Sequence, residues 1–221
     1  MTPLDPHPQY PQIRRRQISF GLALLPLLAA HPLLHAAAKP DEGIDYETLE
    51  LHAPTRDPKR IEVVEFFRYG CPFCNRLEPI LEEWKTTLAA DVSFRYVPVS
   101  FHSTTHQQLY LTLVLLGEDK RLHRQAYRAI HEEKRNLESL MDCSEWARIH
   151  GIDTAAFESA WRSKTVASGI DESDALVKAY GVTSVPQFGI QGRYRTSPAM
   201  LSGDNHRALQ VVEHLIQLAR A

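Results

Sequence analysis

Cys71 and Cys74, in the run Tyr69-Gly70-Cys71-Pro72-Phe73-Cys74, are the side chains of this sequence best spaced to act on one another. Two thiols with two residues between them can close a disulfide, open it by exchange and close it again. Exchange needs a thiolate. The first turn of a helix favours one through its unpaired N–H groups and its dipole. Cys71 therefore reads as the attacking thiol, and Cys74, one turn further on, as the thiol that resolves a mixed disulfide. Pro72 suits that turn, because its missing N–H costs nothing there.

Other readings of these residues stay open at this point. Cys-x-x-Cys is also half of a zinc site. The other half would have to come from Cys143 and a histidine, and no second closely spaced Cys/His pair follows. A purely structural disulfide is the third possibility. His102 and His106 are one helical turn apart, a spacing that can hold a metal. Without a third ligand nearby they read as partly exposed helix-start residues, and His123, His131 and His150 as members of solvated helix faces.

The cysteine pair needs a strand before it and a helix after it. Ile61 to Phe67 is β-branched and aromatic, too apolar for a one-sided strand, and so reads as central and buried. From Pro72 the pattern turns helical, with Leu77, Ile80, Leu81 and Trp84 on one face, and Pro79 is expected to kink that helix rather than end it. Val92 to Val99 returns to strand character. Strand, cysteine turn, helix and strand make a βαβ unit with parallel strands. Tyr46 to Leu51 reads as an edge strand.

Four helical segments follow, Thr105–Leu116, Lys120–His131, Asp142–His150 and Asp153–Trp161, with Asp142 and Glu145 as a capping box and Gly151 as a left-handed stop. A helix over Ala167–Tyr180 precedes Val182 to Pro186, which runs into Gln187–Ile190. Gln191-Gly192 reads as a hairpin turn. Ser202 or Asp204 can cap a last helix with the stripe Leu209, Val212, Leu215, Ile216 and Leu218. The expected organisation is a leader over 1–38, a linker and edge strand over 39–60, an α/β part over 61–100, a helical insertion over 101–165, and the rest of the α/β part over 166–221.

The leader has the order of a signal peptide: Arg14-Arg15-Arg16, then an apolar run from Ile18 to Leu34, then His35-Ala36-Ala37-Ala38. Pro26, His31 and Pro32 interrupt the run and argue against a membrane span. Cleavage is expected after Ala38, with Ala37 as the alternative, and the general export route is favoured over a twin-arginine one. The 221-residue chain has a formal charge of −2, and losing the leader makes it more acidic. Nothing electrostatic draws it to nucleic acid. Its three cysteines are too few for a disulfide-stapled scaffold.

Glu65-Phe66-Phe67, the cysteine run, Leu77-Glu78-Pro79, Val182-Thr183-Ser184-Val185-Pro186 and Gly192-Arg193-Tyr194 together resemble the DsbA family of periplasmic disulfide oxidoreductases. The motifs fall in order from about Tyr46 to the last helix. The resemblance implies a thioredoxin fold, a central mixed sheet flanked by helices, with a helical insertion. It implies a monomeric, exported enzyme that donates the Cys71–Cys74 disulfide to newly secreted or unfolded proteins and is reoxidised by a DsbB-like, quinone-linked membrane partner. It implies a cis Pro186, with Val185 and Pro186 touching substrate beside the cysteines and Phe73 in the apolar groove around them. It also implies that Glu65 is buried under the pair, where a carboxylate can take up the proton of Cys74. Strand alternation sets Glu62 and Glu65 on opposite faces, so one of them is expected to meet solvent. No cofactor is called for, because the redox equivalent is the disulfide itself.

Two positions depart from the family. Many members carry a histidine where this chain has Phe73, and phenylalanine cannot help hold the thiolate. The Cys71 pKa is therefore expected between about 3.5, that of a strongly oxidising DsbA, and about 7, that of thioredoxin. Arg68 is the counterweight if it turns toward the sulfur, although a solvated arginine on the rim is the slightly favoured reading. Cys143 is expected to be inert packing. An isomerase or reductase on the same fold and a noncatalytic binding module remain the rival functions.

Overall fold

The computed structural model describes residues 39–221, so the leader read from Met1 to Ala38 lies outside the described residues. Strand β2, Ile61–Phe67, is buried at every position, as its unbroken apolar run requires. It pairs in parallel with β3, Val92–Pro98, and antiparallel with β4, Gln187–Ile190. Strand β5, Tyr194–Thr196, lies beyond β4, and the two-residue β1, Glu47–Thr48, closes the edge. The five-stranded order is β1-β5-β4-β2-β3.

Alternation along β2 divides the interior into two layers. Ile61 and Val63 face helix α1, Pro72–Lys85, through Leu77, Leu81 and Trp84, and face α7, Asn205–Arg220, through Leu209, Val212, Leu215 and Ile216. Val64 and Phe66 face the other way, onto Leu176 and Tyr180 at the end of α6, Lys164–Ala179. A third cluster starts where β2 ends. Phe67, Tyr69 and Cys74 pack on α2 (Thr105–Leu115), α3 (Asp119–His131), α4 (Leu140–Ile149) and α5 (Thr154–Trp161). The insertion thus grips the strand end that carries the cysteines. Burial of Leu77, Leu81, Leu109 and Leu113 contributes about 1.5–3 kcal/mol each.

Helix α1 runs through Pro79 without stopping. Gln191 and Gly192 both have positive φ, 49° and 64°, and Arg193 N–H closes the turn on the Ile190 carbonyl. Gly192 is required twice over, since a Cβ there would run into the Ala53 carbonyl. Gly151, at φ 84°, ends α4 as expected, and Asp204 caps α7 by accepting from Arg207 N–H.

Several elements differ from expectation. The edge strand is only Glu47–Thr48, because its partner β5 offers three residues to pair with. The cap of α4 is Ser139, whose hydroxyl accepts from Asp142 N–H and donates to the Asp142 carboxylate at 2.6 Å; Glu145 pairs with Arg148 instead. Helix α6 begins at Lys164, ahead of the expected Ala167, because the Ser163 side chain caps it by accepting from Val166 N–H.

Candidate active site

Cys71 is the N-cap residue of α1, with extended backbone, and Pro72 opens the helix. Its N–H donates to the Arg68 carbonyl at 3.0 Å, which folds Arg68–Cys71 into a tight turn. The Cys71 sulfur is half-buried, whereas Cys74 beneath it is fully buried. These placements separate the two thiols chemically.

The Cys71 thiol is held down to about 6, first by a hydrogen bond from the Cys74 thiol, then by the N–H groups of Cys74 and Phe73 and the charge of Arg68, against a burial cost. Cys74 goes the other way. Burial pushes its thiol well above the ordinary range, and the hydrogen bond it gives to Cys71 and the nearby Glu65 add to that. One sulfur is a thiolate at neutral pH and its neighbour is a proton-bearing thiol. The value for Cys71 falls within the expected interval, on its less acidic side.

The loop before β4 comes alongside. Val185–Pro186 is cis, and the Val185 carbonyl lies 3.4 Å from the Cys71 sulfur, accepting from it when it is protonated. Pro186 is buried and Val185 half-exposed, so an extended chain lying here meets the backbone of Val185 more than the proline ring. Phe73 is 58% exposed, with the Arg76 guanidinium 4.5 Å above its ring, an unusual apolar surface next to a reactive sulfur.

Glu65 and Glu62 do lie on opposite faces, but neither reaches solvent. Glu62, on the α6 face, is buried and pairs with Arg95 at 3.0 Å. Glu65, on the α1 face, is 1% exposed, and its Oε2 has no hydrogen-bond partner among the described residues. Burial first, then the neighbouring Glu78, hold its carboxyl well above the usual carboxylate range, with Lys85 opposing. It carries a proton where an ordinary glutamate would not.

Arg68 is not a solvated rim residue. Its side chain is 16% exposed, its Nη2 lies 3.5 Å from Glu138, and its guanidinium rests against Gly70. The strand end turns it inward, toward Cys71. Arg68→Ala is therefore expected to raise the Cys71 titration by about half a unit. Thiolate absorbance in the reduced protein measures this, and an unmoved midpoint removes Arg68 from the site.

The histidines also need correction. His106 is 2% exposed and His123 5%, each at helical spacing with apolar neighbours: Leu109, Tyr110 and Leu113 for the first, Ala126, Tyr127 and Ile130 for the second. That spacing was the available signal, and it puts both on buried faces. His123 Nδ1 bonds the Tyr69 hydroxyl at 2.9 Å, and its Nε2 lies 3.5 Å from the buried Glu78. His131 Nε2 lies 2.7 Å from the Tyr69 carbonyl. Among the described residues no group of three or more His, Cys, Asp or Glu side chains is placed to hold a metal ion. Glu78, quoted only as part of a motif, proves to be a third buried carboxylate beside Glu62 and Glu65, carried by α1 and accepting from the Tyr96 hydroxyl at 3.0 Å.

Residues 62–215 match the family model of the DSBA-like thioredoxin domain. The chain belongs to that family. Over 195 residues it is 36% identical to the thiol:disulfide interchange protein DsbA of Bordetella parapertussis, covering 87% of this chain and 93% of the relative. The DsbA of Pseudomonas aeruginosa is 33% identical over 206 residues, covering 91% and 97%. A crystal structure of the Pseudomonas aeruginosa DsbA superposes with a TM-score of 0.79 at 32% identity, covering 83% of this chain and 96% of that one. Helices α2 to α5, which lie between β3 and α6 in the chain, pack around the cysteine turn.

Cys143 stands apart from the site. It is fully buried in α4, its thiol donates to the Leu137 carbonyl at 3.5 Å, and burial holds it well above the ordinary thiol range. Cys143→Ala is expected to cost about 1 kcal/mol of stability, as a small core truncation, and to leave disulfide exchange unchanged. A lost activity in a variant that still unfolds cooperatively would contradict this.

Proposed function

We infer that the chain is a thiol:disulfide oxidoreductase that oxidises exported proteins with its Cys71–Cys74 disulfide. The observation that carries this reading is the asymmetry of the pair, a half-buried Cys71 held down to about 6 over a buried Cys74 held high. Membership of a family whose relatives are thiol:disulfide interchange proteins supports it.

A substrate thiolate attacks Cys71 Sγ, the exposed sulfur of the disulfide. The S–S bond breaks, a mixed disulfide forms, and Cys74 leaves as a thiolate. That thiolate is disfavoured where it sits, and protonated Glu65 supplies the proton directly or through water. A second substrate thiolate then attacks its partner sulfur, forming the substrate disulfide and expelling Cys71, a good leaving group because its thiolate is stable. Two electrons have passed to the pair: Cys71 is left as a thiolate, Cys74 holds the proton given by Glu65, and Glu65 regains one from solvent, where the two substrate thiols released theirs. Backbone pairing at Val185 and Pro186 and apolar contact at Phe73 hold the substrate while this happens.

The remaining parts of the reading rest on the sequence and the family. The segment 1–38 acts as a cleaved signal peptide, the mature protein works in the periplasm as a monomer, and a DsbB-like quinone-linked membrane protein restores the disulfide. Alkylation trapping of the protein from whole cells tests the direction of flow. A resting disulfide is expected, and resting free thiols would move the assignment to isomerase or reductase.

A further inference from the structure

His106 is a buried polar residue that the exchange chemistry above does not use. It belongs to α2 of the insertion, yet its Nδ1 accepts the N–H of Gly70, the residue before Cys71, at 3.1 Å. A ring nitrogen that accepts carries no proton, so the proton sits on Nε2, 3.3 Å from Glu138 Oε1. The same carboxylate oxygen lies 3.5 Å from Arg68 Nη2. Gly70 makes the arrangement possible: a Cβ there would stand 2.7 Å from the Arg68 guanidinium and 3.1 Å from the His106 ring. Burial first, then the charge of Arg68, keep the imidazole neutral, with a pKa of about 4.

We propose that His106 is a positioning residue for disulfide exchange: as a neutral imidazole accepting the Gly70 N–H, it fixes the turn that directs Arg68 and the helix-start amides at the Cys71 sulfur. The inference rests on the reading of Cys71 as the exchanging thiol. Its consequence is that the helical insertion tunes the thiolate from outside the cysteine pair, in a chain whose Phe73 side chain cannot do so from within it.

Two substitutions separate positioning from packing. His106→Asn puts an amide oxygen near the place of Nδ1 and keeps the acceptor for Gly70. His106→Gln carries its amide about one bond further, toward Glu138, and loses that acceptor. In the mature protein, the Cys71 titration of His106→Asn is expected to match the wild type. That of His106→Gln is expected to rise by about one unit, tenfold in the thiolate equilibrium, with a matching loss of oxidising power against glutathione. Variants that titrate together, or a shift in Asn alone, overturn the proposal.

The imidazole nitrogen shifts of the wild type give a check that needs no variant. The Nε2–H tautomer is expected throughout pH 5 to 8, and a proton on Nδ1 overturns the proposal. Exchange activity in the same wild-type preparation keeps the two levels apart, since its absence, or its survival in Cys71→Ser, would instead sink the underlying reading.

Discussion

Cys74→Ser is expected to turn the protein from a catalyst into a trap. Cys71 would remain a thiolate-forming residue on the rim, able to attack a substrate disulfide or oxidised glutathione and keep one half as a mixed disulfide while the other half leaves as a thiolate. The resolving sulfur, held directly beneath it in α1, would be gone. Resolution by Cys74 is intramolecular and gains the large rate advantage of a group already in place. Without it, turnover in oxidative refolding should fall by about a hundredfold or more, and covalent adducts should accumulate that a reductant releases. Cys71→Ser should lose the same turnover with no adduct. Adducts that accumulate on Cys74 in Cys71→Ser, with none on Cys71 in Cys74→Ser, seen by peptide mapping, would reverse the assigned roles.

Glu65→Gln should show two effects of opposite kind. The unfolded carboxyl titrates near 4.3, whereas in the folded chain burial and Glu78 raise it well above that. The folded state then holds a proton that the unfolded state has released. Stability is lost as pH rises from the unfolded value through the folded one, and the loss is complete above the folded value. Glutamine has no charge to bury. The variant is expected to match the wild type near pH 4 and to exceed it near pH 8 by about 1–3 kcal/mol, roughly 2–10 °C in Tm for a domain of this size.

Activity should go the other way. Without a proton donor and acceptor beside Cys74, release and attack by its sulfur are expected to slow by about tenfold or more, leaving the Cys71 titration little changed. Equal stabilisation at both pH values would mean that Glu65 is not the titrating group. An unchanged resolution rate would remove it from the proton path.

The central strand, the cysteine turn and the order of elements were legible in the sequence because each follows from a local pattern. Ile61–Phe67 is apolar on both faces, and Pro72 and the spacing of Leu77, Leu81 and Trp84 mark a helix start. What was not legible depended on the third layer. His106 and His123 carry the spacing of buried helix faces, but polarity argued for solvent, and only the packing of α2 and α3 against Phe67 and Tyr69 overrides it. Arg68 likewise reads as a surface residue until Glu138, seventy positions on, is seen beside it. Glu62 and Glu65 show the limit from another side. Alternation separates them correctly, yet both faces of β2 are covered, so neither is exposed. Capping shows a simpler limit: Asp142 and Glu145 have the spacing of a capping box and mask the true cap Ser139 one turn earlier, and at α6 polar Lys164 and Thr165 separate the cap Ser163 from the first apolar residue.

The central claim is that the Cys71–Cys74 disulfide is itself the oxidant. Mixing the disulfide form in equal amount with a reduced, unfolded substrate protein, then alkylating and weighing both, tests it directly. One disulfide should appear in the substrate for each Cys71–Cys74 pair that becomes alkylated, with Cys143 in the same thiol state before and after. A substrate that stays reduced, or is oxidised while Cys71 and Cys74 remain joined, would contradict the account.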